Sequence, residues 1–135
     1  MKPGRTRFVV LTFALCACDA RELNAQTPAT PTGVGRGIIV RKNVMMPMRD
    51  GVRLATDLYR PAAGGKFPVV LIRTPYGSET ADYSKRGQYY AEHGYVLAVQ
   101  DLRGKYESEG EWYGPRDEAR DTGDAITWLG EQGWS

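Results

Sequence analysis

Two short apolar runs, FPVVLI at 67–72 and YVLAV at 95–99, constrain this chain more than any other feature. Each is continuous rather than alternating, the pattern of a strand covered on both faces, and each has the length of a strand. Between them Tyr83, Gly87, Tyr90 and Ala91 recur at helical spacing over about 83–93, and Gly94 follows as a C-terminal cap. Strand, helix and strand in that order predict two parallel strands joined by a right-handed helical crossover.

The flanking segments extend this unit in both directions. Upstream, GIIVRKNVMMPMRDGVRLATDLYRP carries Asp50-Gly51, a hairpin turn signal, with Val52, Leu54 and Leu58 on one face and Arg53 and Asp57 on the other. Downstream, Pro115 followed by Asp117, Glu118 and Asp121 suits a helix N-terminus, whose partial positive charge favours carboxylates. Ala119, Thr122, Ile126 and Leu129 then repeat at the spacing of one buried helix face. The expected fold class is α/β, an antiparallel hairpin leading into a parallel sheet with crossover helices. Ligands of such sheets bind beyond the carboxyl ends of the strands, where RTPYG (73–77) and DLRGKYESEG (101–110) fall.

The first 36 residues read differently. MKPGRTR brings three positive charges, FVVLTFALCAC is an 11-residue apolar run, and small and polar residues follow. That is the layout of an export signal, too short to remain as a membrane span. Residues 1–25 are therefore expected to be a signal peptide, cut after Ala25 or, if Leu15-Cys16-Ala17-Cys18 acts as a lipobox, before a lipidated Cys18 that would anchor the protein to a membrane. Either route places the protein outside the cytoplasm, in the periplasm or beyond. Residues 26–36, QTPATPTGVGR, hold too little apolar surface to offset ordering entropy and read as a flexible linker, leaving 37–135 as the folded portion. The GVGRG there follows no strand and opens no helix, so it is not a dinucleotide loop.

Beyond residue 25 the chain has 14 basic and 14 acidic residues, and this balance excludes the basic footprint of a nucleic-acid binder. It also has no cysteine and one histidine, His93, so a disulfide framework or a thiolate or imidazole metal site is not expected. No cofactor motif is present. From the residues alone, Tyr76 is either a loop aromatic resting on a neighbour or a hydroxyl presented at the ligand edge. Pro75 fixes its own φ and keeps Thr74 extended, while Gly77 lets the chain turn away, so the ring is held more firmly than on a free loop. Trp112, Trp128 and Trp134 read as packing residues.

Four segments together, MPMRDGVRLATDLYRP, FPVVLIRTPYG, GYVLAVQDLRGKYESEGEWY and DEARDTGDAITWL with its closing QGWS, resemble the CocE/NonD hydrolases of the X-Pro dipeptidyl-peptidase class. The resemblance covers residues 40–135 and implies the N-terminal part of an α/β-hydrolase fold, ending before a G-x-S-Y-x-G nucleophile elbow that in the family follows the W-S dipeptide. It implies a serine hydrolase of small esters, amides or short peptides, acting through a Ser-His-Asp triad that lies beyond Ser135. On this reading the given chain is an inactive N-terminal fragment. It also implies a role for Tyr76 as a hydroxyl donor of the oxyanion hole, since a phenol with an ordinary pKa of about 10 keeps its proton near neutral pH.

The family's aspartate and histidine come later in the chain, so Asp101 and Arg103 are expected to brace their loop and His93 to be a surface residue at a helix end. Glu107, Glu109 and Glu111 are expected to be solvated, with one of them able to border a substrate pocket. A second reading, a secreted non-catalytic binding module built on the same half-sheet, remains open at this level.

Overall fold

A computed structural model describes residues 37–112 and 114–135. The expected export segment 1–25, with Cys16 and Cys18, and the linker 26–36 lie outside the described residues.

β1 (Ile38–Pro47) and β2 (Arg53–Pro61) form the antiparallel hairpin. Its connection is closed by Gly51 N–H donating to Met48 O at 2.9 Å and Val52 N–H donating to Asp50 Oδ1 at 3.1 Å. Gly51 sits at φ 86°, where a side chain would be strained. β3 (Val69–Thr74), α1 (Ala81–Glu92) and β4 (Val96–Asp101) follow as the crossover unit, with β3 and β4 parallel in register from Val69↔Val96 to Thr74↔Asp101. α2 (Pro115–Gly130) closes the described chain. Thr80 caps α1 by accepting the Tyr83 N–H, and at the other end Tyr95 N–H returns to Tyr90 O at 2.9 Å around Gly94 at φ 80°.

The sheet order is β1-β2-β4-β3, so β2 pairs with β4 antiparallel and becomes a central strand. Two expectations change for this reason. β2 is not a half-solvated hairpin arm: Asp57, expected with Arg53 on the face opposite Val52, Leu54 and Leu58, is fully buried. A bulge in β1 between Arg41 and Val44 satisfies its carboxylate, with Lys42 Nζ at 2.7 Å from Oδ2 and Asn43 N–H at 3.0 Å from Oδ1. Conversely, the run 67–72 does not give a fully covered strand. β3 starts at Val69 and is only half-buried along most of its length, because it borders the described sheet, whereas every residue of β4 is buried.

The two helices cover opposite faces. On one, Met46, Leu54, Leu58 and Ala98 pack with Ala125 and Leu129 of α2, and Trp128 and Trp134 lean on the same cluster. On the other, Tyr59, Leu97 and Val99 meet Tyr83 and Tyr90 of α1. The face that α2 buries is rotated from the one its apolar residues suggested. Asp121, Ala125 and Leu129 are buried, whereas Ala119 is exposed and Ile126 is 59% exposed. An ion pair, described below, draws Asp121 inward and sets that rotation.

Candidate active site

Both parallel strands end at one edge of the sheet, and the loops RTPYG and DLRGKYESEG meet there. The link begins at the last register pair, where Leu102 N–H donates to Thr74 O at 3.0 Å. Pro75 provides no donor, and the next amide, Tyr76 N–H, turns back to Thr74 Oγ1 at 3.1 Å. Gly77 follows at φ 93°, and a Cβ there would sit 3.1 Å from Cε1 of Tyr106, so the Tyr106 ring lies directly on the glycine backbone. The consequence is an outward phenol: Tyr76 is 78% exposed, and its hydroxyl bonds to none of the described residues. A pocket of about 290 Å³ opens beside it, bordered by Tyr76, Gly77, Ser78, Asp101, Tyr106 and Glu107.

The second loop is pinned on several sides. Arg103 donates from Nε and Nη2 to Asp121 at 3.0 and 2.6 Å, and its Nη1 lies 2.8 Å from Asp50 Oδ2. One guanidinium thus joins the hairpin turn, the loop and α2, a geometry suited to its planar fork. The Asp121 hydrogen bond raises the Arg103 pKa further, and the Arg103 hydrogen bond holds Asp50 below its usual value. Arg103 therefore does brace the loop, through Asp121 and Asp50. Asp101 is not its partner and instead accepts from Ser78 Oγ at 3.4 Å.

Ser108 Oγ accepts the Ala55 N–H at 2.9 Å and donates to Asp101 O at 2.7 Å, stitching the loop to β2. Glu109 was expected to be a solvated charge, but it chelates Arg53: Nε donates at 3.1 Å and the Arg53 backbone N–H also at 3.1 Å. That hydrogen bonding lowers its pKa. Glu107 borders the pocket, as one of the three glutamates was expected to, and Glu111 is exposed.

His93 caps the C-terminus of α1, before β4 begins, which puts it at the sheet edge opposite the pocket. It is exposed, its Nδ1 is 2.6 Å from Tyr89 O, and its ring lies 4.1 Å from that of Tyr89. Among the described residues no group of three or more His, Cys, Asp and Glu has a metal-binding arrangement, and no helix is long and apolar enough to cross a membrane. Trp112 is half-exposed under Lys105, whose Nζ is 5.8 Å from the ring centre, while Trp128 and Trp134 pack as expected.

Sequence reasoning singled out Tyr76 and both loops but missed Ser78, Tyr106 and the hydroxyl of Thr74, which hold the loop in shape. The available signals were small: a hydroxyl residue on each side of P-Y-G, and a tyrosine at the tip of the second loop.

Comparisons with known proteins agree with this architecture. A cocaine esterase from Rhodococcus sp. (strain MB1 Bresler) is 46% identical over 99 residues, covering 70% of this chain and 17% of that protein. A CocE/NonD family hydrolase from Staphylococcus aureus superposes with a TM-score of 0.65 at 28% identity, covering 73% of this chain and 21% of the other. An α-amino acid ester hydrolase does so with a TM-score of 0.57 at 31% identity, covering 84% and 22%. The chain thus spans about a fifth of the length of these relatives, and it has part of their α/β-hydrolase fold. The sequence pattern of the X-Pro dipeptidyl-peptidase (S15) family matches residues 50–135, a stretch that takes in both edge loops and both helices, and the chain belongs to that family.

Proposed function

We propose that this chain forms the oxyanion side of the active site in an exported serine hydrolase that cleaves ester or amide acyl bonds of small molecules or short peptides. One observation carries the reading: an exposed phenol whose hydroxyl has no partner among the described residues stands at the carboxyl edge of the parallel strands, on a loop fixed by Thr74, Gly77 and Tyr106. Acyl transfer passes through a tetrahedral species whose oxygen is negatively charged. A donor already placed at that oxygen contributes only when the charge develops, which lowers the barrier without tightening substrate binding. In this reading a serine attacks the carbonyl, a histidine takes and returns the proton, and an aspartate orients the histidine. These three groups lie in sequence other than the 135 residues given. The names of two relatives, a cocaine esterase and an α-amino acid ester hydrolase, support acyl bonds as the target.

The test is steady-state kinetics on the full-length enzyme with a p-nitrophenyl ester. Tyr76→Phe should lower kcat about a hundred- to thousandfold and leave KM nearly unchanged, because one oxyanion donor contributes roughly 2.7–4 kcal/mol in the transition state alone. An unchanged kcat rejects the role. Export through residues 1–25 belongs to the same proposal, with Cys18 as the candidate lipid anchor. Palmitate incorporation that vanishes with Cys18→Ser supports the anchored form, and labelling that persists in the variant excludes it.

A further inference from the structure

Asp101 is the last residue of β4, is 1% exposed and forms no ion pair among the described residues. Two arginines lie close in sequence or in register, and both are engaged elsewhere. Arg103 serves Asp121 and Asp50, while Arg73 donates to Gln100 Oε1, Glu118 O and Thr122 Oγ1. The one side-chain hydrogen bond of Asp101 comes from Ser78 Oγ, and its Oδ1 is buried without a partner among the described residues. Burial pushes its pKa up, and the Ser78 and Glu107 N–H groups and the Ser78 hydroxyl pull against that shift. A fold gains little from keeping a carboxylate without a counter-ion, and with one oxygen unsatisfied, out of water, so such a group at a ligand edge points to function.

The placement of Ser78 indicates which function. Tyr76 stands midway between two attachments to the end of β4. Two residues before it, Thr74 pairs in register with Asp101, takes the Leu102 N–H on its carbonyl and receives the Tyr76 N–H on its hydroxyl. Two residues after it, Ser78 is held by the Asp101 carboxylate. Between the two, Pro75 restricts one torsion and Gly77, pressed against Tyr106, supplies the reversal. We infer that Asp101 is a positioning residue: by holding Ser78 at the end of β4, it sets the direction in which the 75–77 turn presents the Tyr76 hydroxyl. The inference rests on the proposed oxyanion role of Tyr76, and Asp101 touches no reacting atom.

A double-mutant cycle in the full-length enzyme tests it, comparing Asp101→Asn, Tyr76→Phe and their combination with the parent by kcat, KM and melting temperature. Asp101→Asn keeps the shape and should reduce kcat about ten- to hundredfold, the cost of a misplaced group, with KM little changed. In the Tyr76→Phe background the same change should cost less than about twofold, because there is no hydroxyl left to misplace. Ser78→Ala removes the donor, leaves the carboxylate in place and should show the same background dependence, which keeps the test available if Asp101→Asn does not fold.

The outcomes separate the two proposals. If Tyr76→Phe alone keeps kcat, the oxyanion reading fails and the positioning role fails with it. If Tyr76→Phe loses kcat while Asp101→Asn loses nothing, or loses the same factor in both backgrounds, the oxyanion reading stands and only the positioning role is overturned.

Discussion

Gly87 lies in the middle of α1, where alanine would ordinarily improve a helix by about 1 kcal/mol. Here the same change should destabilise. A Cβ at position 87 would sit 2.7 Å from Cδ2 of the Tyr59 ring and nearer still to Cγ and Cδ1, against ordinary contacts of 3.4 Å and beyond. The ring cannot swing aside. Tyr59 is 2% exposed, sits in the central strand β2, and its hydroxyl is held by Lys42 Nζ at 2.7 Å and Ser84 Oγ at 3.3 Å. The helix must therefore lift from the sheet. Overpacking of this kind costs up to about 3 kcal/mol, so the net loss after the helix-propensity gain is up to about 2 kcal/mol.

Gly123 in α2 is the control, because a Cβ there meets nothing within 4 Å and the position is exposed. Gly123→Ala should stabilise by up to about 1 kcal/mol. Equilibrium urea unfolding of the protein and the two variants gives both signs in one experiment. A Gly87→Ala protein as stable as the parent, or more so, would refute the close approach of α1 to β2.

Other predictions follow from the charged groups. Arg103→Met should destabilise by about 3–5 kcal/mol, since it leaves the buried Asp121 carboxylate with only Arg73, whose guanidinium is 3.6 Å away. Adding Asp121→Leu should recover much of that loss, and chemical denaturation of the single and double variants checks both. Asp101→Asn should alter the pH dependence of stability in a defined direction. The native carboxyl has its pKa raised from 3.8, so the native state holds that proton more tightly than the unfolded chain, and charging it costs stability as pH rises from about 3.8 through the native pKa. The variant lacks this term. Its stability relative to the parent should therefore improve across that window and be constant above it, and parallel unfolding curves from acid to neutral pH would contradict the rise in pKa that burial gives Asp101.

Much of the fold is legible in short-range pattern because the constraints are local. Asp50-Gly51 marks the hairpin, and the two apolar runs around a helix-spaced segment mark the parallel pair. Gly94 and Pro115 mark the helix ends where the structure has them. What escapes the pattern depends on partners distant in sequence. The hairpin reading could not show that β2 would pair with β4 on its other side, and that pairing buries Asp57, whose carboxylate takes the Lys42 ammonium from β1. The α2 face was misjudged because apolar spacing ignores ion pairs. Arg103 draws Asp121 into the interface from 18 residues away, and Ala125 and Leu129 follow it while Ile126 turns out.

The candidate site divides the same way. Tyr76 was visible from P-Y-G and from the family resemblance. Its supports were not, since Ser78–Asp101 and Gly77–Tyr106 are contacts between two loops that the sheet brings together.

The central claim is that the Tyr76 hydroxyl stabilises negative charge that exists only in the tetrahedral state. A boronic acid that forms a tetrahedral adduct with the proposed catalytic serine isolates that state from turnover. Measured on the full-length enzyme, its Kd should rise about a hundredfold or more in Tyr76→Phe, with substrate KM nearly unchanged. Equal boronate affinity in the parent and the variant would contradict the account.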